Sequence, residues 1–339
     1  MGAMSNHNKF VLVTGGAGYI GSHAAKALAA SGFVPVSYDN LIHGHRWAVK
    51  WGPFVEGDIS DRAKLLDTIR RYDITAILHF AGFAYVGEST AHPERYFNNN
   101  VVGSLAVFDA AIEAGVHHIV FSSTCATYGI PEILPITENA PQFPVNPYGE
   151  TKLVIERALR WYAAAHPLTY AALRYFNAAG ADPDGELGEM HEPETHLIPL
   201  ALDAALGYKT LEIFGGDYRT SDGTCVRDYI HVTDLANAHV LALQYLIQGG
   251  SSIGLNLGTG EGHTILDVIH SVQKVTGREV PHRFAVRRPG DPPILIADPS
   301  LAERTLGWHH RHSDLQSIMQ TAWAWRSVQI DNRQIVTTG

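Results

Sequence analysis

Along the first half of the chain, short uninterrupted apolar runs alternate with stretches whose apolar residues recur at helical spacing. The runs are Lys9–Thr14, Val34–Tyr38, Ala76–Phe80 and His118–Ser122, and a glycine, a small residue or a polar residue follows each. Runs without polar alternation predict strands in a sheet covered on both faces. Between them, Tyr19–Ser31 stops at Gly32, and stretches near Ala63–Tyr72 and Pro93–Ala114, the latter stopping at Gly115, read as helices. Strands alternating with helices predict parallel βαβ units and an α/β fold.

After residue 175 the pattern loosens. Gly180–Thr195 is rich in glycine, proline and acids and reads as a long loop. Leu206–Asp228 mixes short strands with Gly215-Gly216 and a polar stretch, Tyr218–Thr224. Thr233–Gln248 and Thr264–Gly277 read as helices, and Arg287–Pro293 as a rigid, charged loop. The expected division is a larger domain over 8–176 and a smaller one over 177–330, with some later segments returning to the first.

Composition narrows the class. A chain of 339 residues suits two domains and needs no disulfide or metal staple. Its 45% hydrophobic content excludes a disordered chain. A formal charge of −9 argues against nucleic acid as a partner, because phosphate backbones are bound by cationic surfaces. Cys125 and Cys225 form neither a disulfide framework nor a zinc spacing. Residues 1–10 lack a leader pattern, Met1–Met4 reads as a vector-derived remnant, and no apolar run reaches the ~18 residues of a membrane span. The expectation is a reduced, cytoplasmic protein without a membrane partner.

The first chemical motif is Gly15-x-x-Gly18-Tyr19-Ile20-Gly21, directly after the first strand and opening the first helix. Glycines at this spacing let the backbone turn sharply and approach a pyrophosphate at a helix N-terminus. Asp39 ends the next strand about 20 residues on, where a carboxylate accepts from an adenosine ribose and repels a 2′-phosphate. The pattern predicts NAD rather than NADP. Asp58 is a candidate acceptor for the adenine amino group, while a helix N-cap there falls to Ser60 or Asp61. Phe80-Ala81-Gly82 ends a further strand with small residues where a cofactor can pass.

The second motif is Tyr148-Gly149-Glu150-Thr151-Lys152. Positions i and i+4 share a helix face. An ammonium so placed stabilises phenolate and lowers a phenol pKa from about 10, giving a general base near neutrality. Thr124, after Ser122-Ser123 at a strand end, adds a hydroxyl for the same substrate oxygen.

These residues resemble the extended short-chain dehydrogenase/reductase superfamily. Longer runs resemble its UDP-glucose 4-epimerase family: Val86–Ser89, Phe121–Gly129, Asn146–Gly149, Arg174–Asn177, Val226–Val232, Asn256–Gly260 and Arg288–Asp291. The resemblance covers nearly the whole chain. It implies a Rossmann-type doubly wound parallel sheet with a smaller C-terminal α/β substrate-binding domain. It also implies an NAD-dependent enzyme interconverting UDP-glucose and UDP-galactose through transient oxidation at sugar C4, and a homodimer. Asn40, Ile59, Asn99 and Phe176 would line the NAD site. Asn177, His196, Leu197, Phe214, Arg227, Arg288 and Asp291 would hold the UDP-sugar. Arginines suit a diphosphate, although Arg227 and Arg288 also have Asp228 and Asp291 as nearby salt-bridge partners in sequence.

Departures from the family pattern are Thr124 for serine, Ala84 for a lysine and His196 for asparagine. Leu295 falls at the gate for the sugar 2-substituent, where its bulk favours plain hexoses over N-acetyl sugars. No metal site is expected, because His309–His312 lacks a carboxylate or cysteine cluster. Cys125 reads as packing material, and Trp308, Trp323 and Trp325 as C-terminal core or interface residues. The rival activities are a UDP-xylose/UDP-arabinose 4-epimerase, a net NAD-dependent oxidoreductase and a silent NAD-binding regulator. A 4,6-dehydratase needs an Asp-Glu pair after Thr124, where Cys125-Ala126 stand.

Overall fold

The computed structural model describes residues 9–288 and 290–337, with side chains described as far as residue 329. Met1–Met4 therefore lies outside the described residues. The chain opens with β1 (Phe10–Thr14), α1 (Tyr19–Ala30), β2 (Val34–Asp39), β3 (Phe54–Glu56), α2 (Arg62–Arg71) and β4 (Ala76–His79). Helices α3 (Val86–Ala91), α4 (Pro93–Tyr96) and α5 (Gly103–Ala114) lead to β5 (His118–Thr124), α6 (Pro147–Ala165) and β6 (Thr169–Tyr175). The stretch expected as one helix over 93–114 is helical throughout, but Phe97–Val102 is wound as a π-helix.

The later part contains β7 (Asn177–Ala179), α7 (Leu197–Ala205), β8 (Leu211–Phe214), β9 (Val226–Arg227), β10 (Tyr229–His231) and α8 (Val232–Ile247). It ends with β11 (Ile253–Leu257), β12 (His263–Thr264), α9 (Ile265–Thr276), β13 (His282–Ala285), β14 (Ile294–Leu295), α10 (Ser300–Leu306) and α11 (Leu315–Thr337). Thr264 and Asp267 form a reciprocal capping box that starts α9, and Gly277, at φ +67°, ends it.

Seven strands form one sheet in the order β11-β6-β5-β4-β1-β2-β3. Every neighbouring pair is parallel, and Thr14 is in register with both Tyr38 and His79. The winding reverses between β1 and β4, so a crevice opens at the carboxyl ends of these two strands. Alternate β1 residues feed opposite faces. Val11 and Val13 pack with Leu28, Leu235, Leu243 and Trp308 under α1, α8 and α10. Leu12 packs with Leu65, Phe108, Phe121 and Leu159 under α2, α5 and α6. This two-sided burial is why the strands read as unbroken apolar runs.

A third core, with Ile198, Leu202, Ile213, Val268, Val272, Ile318 and Met319, unites α7, β8, α9 and α11. The later half is thus shared: α8, β11 and α10 pack with the large sheet, and the remainder stands over its carboxyl edge. The Gly180–Thr195 loop is tied to α1 by Lys26, whose ammonium reaches Asp182, Asp184 and Glu186, each at 2.8 Å. Trp308 and Trp325 are buried, donating to the carbonyls of Asp234 and Glu189. His309 and His310 are exposed. Among the described residues, no helix is long and apolar enough to cross a membrane.

Candidate active site

The glycine spacing is enforced by contact distances. Gly15 has φ +71°, and a Cβ there would lie 2.7 Å from the Ala81 nitrogen. A Cβ on Gly21 would lie 2.1 Å from the Gly15 carbonyl oxygen. The turn after β1 is therefore pressed against the end of β4 on one side and the first turn of α1 on the other. Asp39 closes the turn: its carboxylate accepts from the Ala17 amide at 3.0 Å and the Leu41 amide at 2.8 Å. Burial raises its pKa, and these two bonds pull it back toward the carboxylate form. Tyr19 donates to the Gly180 carbonyl at 2.7 Å, joining α1 to the long loop.

The π-helical segment re-aims two asparagines. Asn100 turns inward, accepting from the Phe83 amide at 2.8 Å and donating to the Phe83 carbonyl at 3.0 Å and the Thr151 hydroxyl at 3.1 Å. Its neighbour Asn99 faces the crevice. Such π turns recur at functional sites.

Thr124, Tyr148 and Lys152 meet where β5 ends and α6 begins. Asn146 caps α6 by accepting from the Gly149 amide at 2.8 Å, with Pro147 in the first turn. A Cβ on Gly149 would lie 2.6 Å from the Ala126 carbonyl, so glycine lets the helix start against the turn that follows Thr124. Tyr148 is buried beside Phe83 and Tyr96. Lys152 donates to the Ser122 carbonyl at 2.9 Å.

Burial, reinforced by Tyr175, holds the Tyr148 phenol well above its ordinary range, and a hydrogen bond from Thr124 opposes this. Lys152 lies one helical turn further along α6. Its ammonium is engaged at Ser122, and burial pushes its own pKa down to about 8. Cys125 is inert as a nucleophile, since burial pushes its thiol up to about 12.

A single cleft of about 1430 Å³ holds the site. That exceeds the ~300–1,000 Å³ of a pocket for one drug-sized ligand and suits two nucleotides side by side. Its walls include Gly15, Gly18, Tyr19, Ile20, Gly21, Asp39, Asn40, Ile59, Phe80, Ala81, Gly82, Asn99, Phe176 and the Thr124–Tyr148–Lys152 group. They also include Asn177, His196, Leu197, Phe214, Arg227, Arg288, Asp291 and Leu295. Asp58 stands outside this lining. It accepts from Asn40, Ser60 nitrogen and Ser60 hydroxyl at 2.7–2.8 Å. Burial opposes its charge, but these bonds outweigh it and hold the carboxyl below its usual range. The helix N-cap is Asp61, accepting from the Lys64 amide at 3.0 Å.

In the second half of the cleft, Arg227 pairs with Asp291, and the Arg288 guanidinium lies 3.9 Å from the centre of the Phe214 ring. Asp228 is no arginine partner. It is fully buried and accepts from the Thr259 amide and hydroxyl at 2.8 Å and from the Gly260 and Ala297 amides at 3.1 Å. Leu295 pairs in register with Arg227 and is 8% exposed in the cleft wall. Ala84 also lines the cleft.

Sequence reasoning missed one cluster. Glu189, His191, Glu194 and His196 bring four donor atoms within 4.8 Å of one another. Burial disfavours charge on His191, but Glu189 and Glu194 outweigh it and raise its pKa to about 10. The same contest leaves His196 raised and Glu189 lowered. The signal is the E-x-H-x-x-E-x-H spacing inside a loop whose glycine, proline and acid content reads as composition alone.

The profile of the NAD dependent epimerase/dehydratase family matches residues 11–258. A UDP-glucose 4-epimerase of Rhizobium meliloti (strain 1021) is 52% identical over 325 residues, 96% of this chain and 98% of that protein. The crystal structure of the UDP-glucose 4-epimerase from Brucella ovis in complex with NAD superposes with a TM-score of 0.91 at 55% identity, covering 93% of this chain and 98% of that one. The UDP-glucose 4-epimerase from Stenotrophomonas maltophila, with bound NAD and formylated UDP-arabinopyranose, superposes with a TM-score of 0.92 at 42% identity, covering 96% and 100%.

Proposed function

The chain belongs to the NAD dependent epimerase/dehydratase family, and on that premise we infer that it is an NAD-dependent UDP-glucose 4-epimerase, interconverting UDP-glucose and UDP-galactose. The observation that carries this reading is the meeting of Thr124, Tyr148 and Lys152 in one cleft with the Gly15–Gly21 turn on one side and Arg227 and Arg288 on the other. The residues fit NAD: Gly15 and Gly21, where a Cβ would lie 2.7 and 2.1 Å from backbone atoms, leave the turn that lines the cleft without side chains. The Asp39 carboxylate at the end of β2 suits an unphosphorylated ribose.

When bound, NAD supplies a reversible hydride acceptor for sugar C4 and brings a positive nicotinamide into the cleft. Tyr148 takes the proton of the sugar 4-hydroxyl as C4 is oxidised, and returns it to the same oxygen when the turned-over 4-keto sugar is reduced on its opposite face. Thr124 hydrogen-bonds the same oxygen. Lys152 anchors the group to β5 through Ser122. Arg227 and Arg288 hold the diphosphate with planar, bidentate donors, so the sugar alone is free to turn over. Asn177, Leu197, Phe214 and Asp291 complete the sugar-nucleotide side, and Phe176 and Asn99 the cofactor side.

Leu295 leaves the hexose 2-position little room, which favours plain glucose and galactose. The reading includes a two-fold homodimer, with exposed Phe97 and Val102 on the π-helical segment and Trp161 on α6 as apolar surface available to it. Two free cysteines suit a reducing, cytoplasmic setting. The test is conversion of UDP-galactose by purified protein with no NAD added.

A further inference from the structure

The loop before α7 places two imidazoles on one acid. The Nδ1 atoms of both His196 and His191 approach Oε1 of Glu189, the latter at 3.3 Å. A carboxylate only accepts, so the Nδ1 of His196, which hydrogen-bonds Glu189, carries a proton. The Glu189 side chain is 6% exposed, and that of His196 is 46% exposed at the cleft. The two rings cross edge to face at 5.2 Å. Glu194 stands 3.7 Å from His191 and 4.0 Å from His196, so two acids face two imidazoles. His196 is the N-cap of α7 and makes no side-chain cap hydrogen bond, so its ring is committed to Glu189.

We propose that Glu189 is a positioning residue whose buried carboxylate holds His196 as an imidazolium toward the cleft, where it receives a phosphate of the sugar nucleotide. This rests on the epimerase reading above. The pair then sets affinity rather than the chemistry of the bound complex. Around it stand His191, Glu192 and Glu194 on the same loop, Tyr19 and His23 from α1, Tyr85 and Glu88 from the α3 region, and His43 and His45 after β2. The two tyrosines stay protonated, because burial and nearby acids raise both. His23 stays neutral, because burial lowers it to about 4. Burial opposes charge on both imidazoles, but Glu189 and Glu194 outweigh it, raising His191 to about 10 and raising His196 as well.

The experiment is kcat and KM for UDP-galactose from pH 6 to 10, in wild type, Glu189→Gln and His196→Asn. In wild type, KM is low near neutrality and climbs as His196 deprotonates. In Glu189→Gln, the imidazole returns toward its ordinary ~6.5. KM at pH 7.5 then rises about tenfold, the order of one hydrogen bond to a charged group, with kcat within about twofold of wild type. In His196→Asn, KM is raised and the alkaline climb disappears. A wild-type KM profile in Glu189→Gln, or a persisting climb in His196→Asn, overturns the proposal. So does stoichiometric zinc in the purified protein whose removal raises KM. If Glu189→Gln does not fold, the profile of His196→Asn decides alone. Failure of wild type to convert UDP-galactose refutes the epimerase reading instead, and calorimetry of UDP binding across the same pH range then decides the pair.

Discussion

Lys152 reaches back from the second turn of α6 to donate to the Ser122 carbonyl at 2.9 Å, two residues before Thr124 on β5. The bond fixes the start of α6 against the strand that carries the hydroxyl. It also places a buried ammonium at the edge of the cleft. Burial lowers its pKa from 10.5 to about 8.

That depression has a sign. Folding disfavours the charged form, so the cost is fully present below about pH 8 and fades between there and 10.5. Lys152→Met is therefore expected to raise Tm at pH 7 while lowering kcat at least tenfold. The stability gain shrinks at pH 10. It is bounded at about 3 kcal/mol, less the cost of leaving the Ser122 carbonyl unpaired. Calorimetric melts of both proteins at the two pH values check it.

Tyr148→Phe removes only a hydroxyl. A positioned acid–base group contributes roughly 10²–10⁴-fold, and a loss of that size in kcat is expected with the fold intact. Thr124→Ser keeps the hydroxyl and is expected within a few-fold of wild type, whereas Thr124→Ala loses more. Steady-state rates with circular dichroism separate chemistry from folding.

Leu295 is a specificity test. Leu295→Ala removes bulk from the cleft wall without touching Tyr148 or the arginines. The ratio of kcat/KM for UDP-N-acetylglucosamine to that for UDP-glucose is expected to rise at least tenfold, because one pocket methylene or methyl contributes about 1–3 kcal/mol. An unchanged ratio removes Leu295 from the gate.

Asp228 separates architecture from binding. Its carboxylate gathers four donors from two segments and is 0% exposed. Asp228→Ala is expected to cost about 3–5 kcal/mol in urea unfolding, the size of a buried network broken by removing one partner. Arg227 keeps its partner Asp291, so the folded fraction should retain affinity for UDP.

The large sheet was legible because its strands are buried on both faces. Val11, Leu12 and Val13 all read as apolar, although they feed two cores. The glycine turn was legible because backbone contacts at Gly15 and Gly21 leave no room for a side chain. Less legible were features set by distant segments. The return of β11 to pair with β6 rests on contacts across some 80 residues of chain. The π-helical winding at Phe97–Val102 leaves the local apolar spacing unchanged. The Asp58 carboxylate accepts from Asn40, which follows β2, and from Ser60, a contact between segments that the local sequence does not display. The Tyr148–Lys152 spacing places both side chains at the start of α6, in the wall of one cleft. The Glu189–His196 pair lies in a loop whose composition masked its spacing.

The central claim is that this cleft epimerises a UDP-hexose with a cofactor it regenerates at every turnover. Purified protein is incubated with UDP-galactose, no NAD is added, and the sugar nucleotides are followed by NMR. The account predicts an equilibrium mixture of UDP-galactose and UDP-glucose, with many turnovers per cleft. No conversion, even when NAD is supplied, or product formed only in proportion to added NAD, contradicts it.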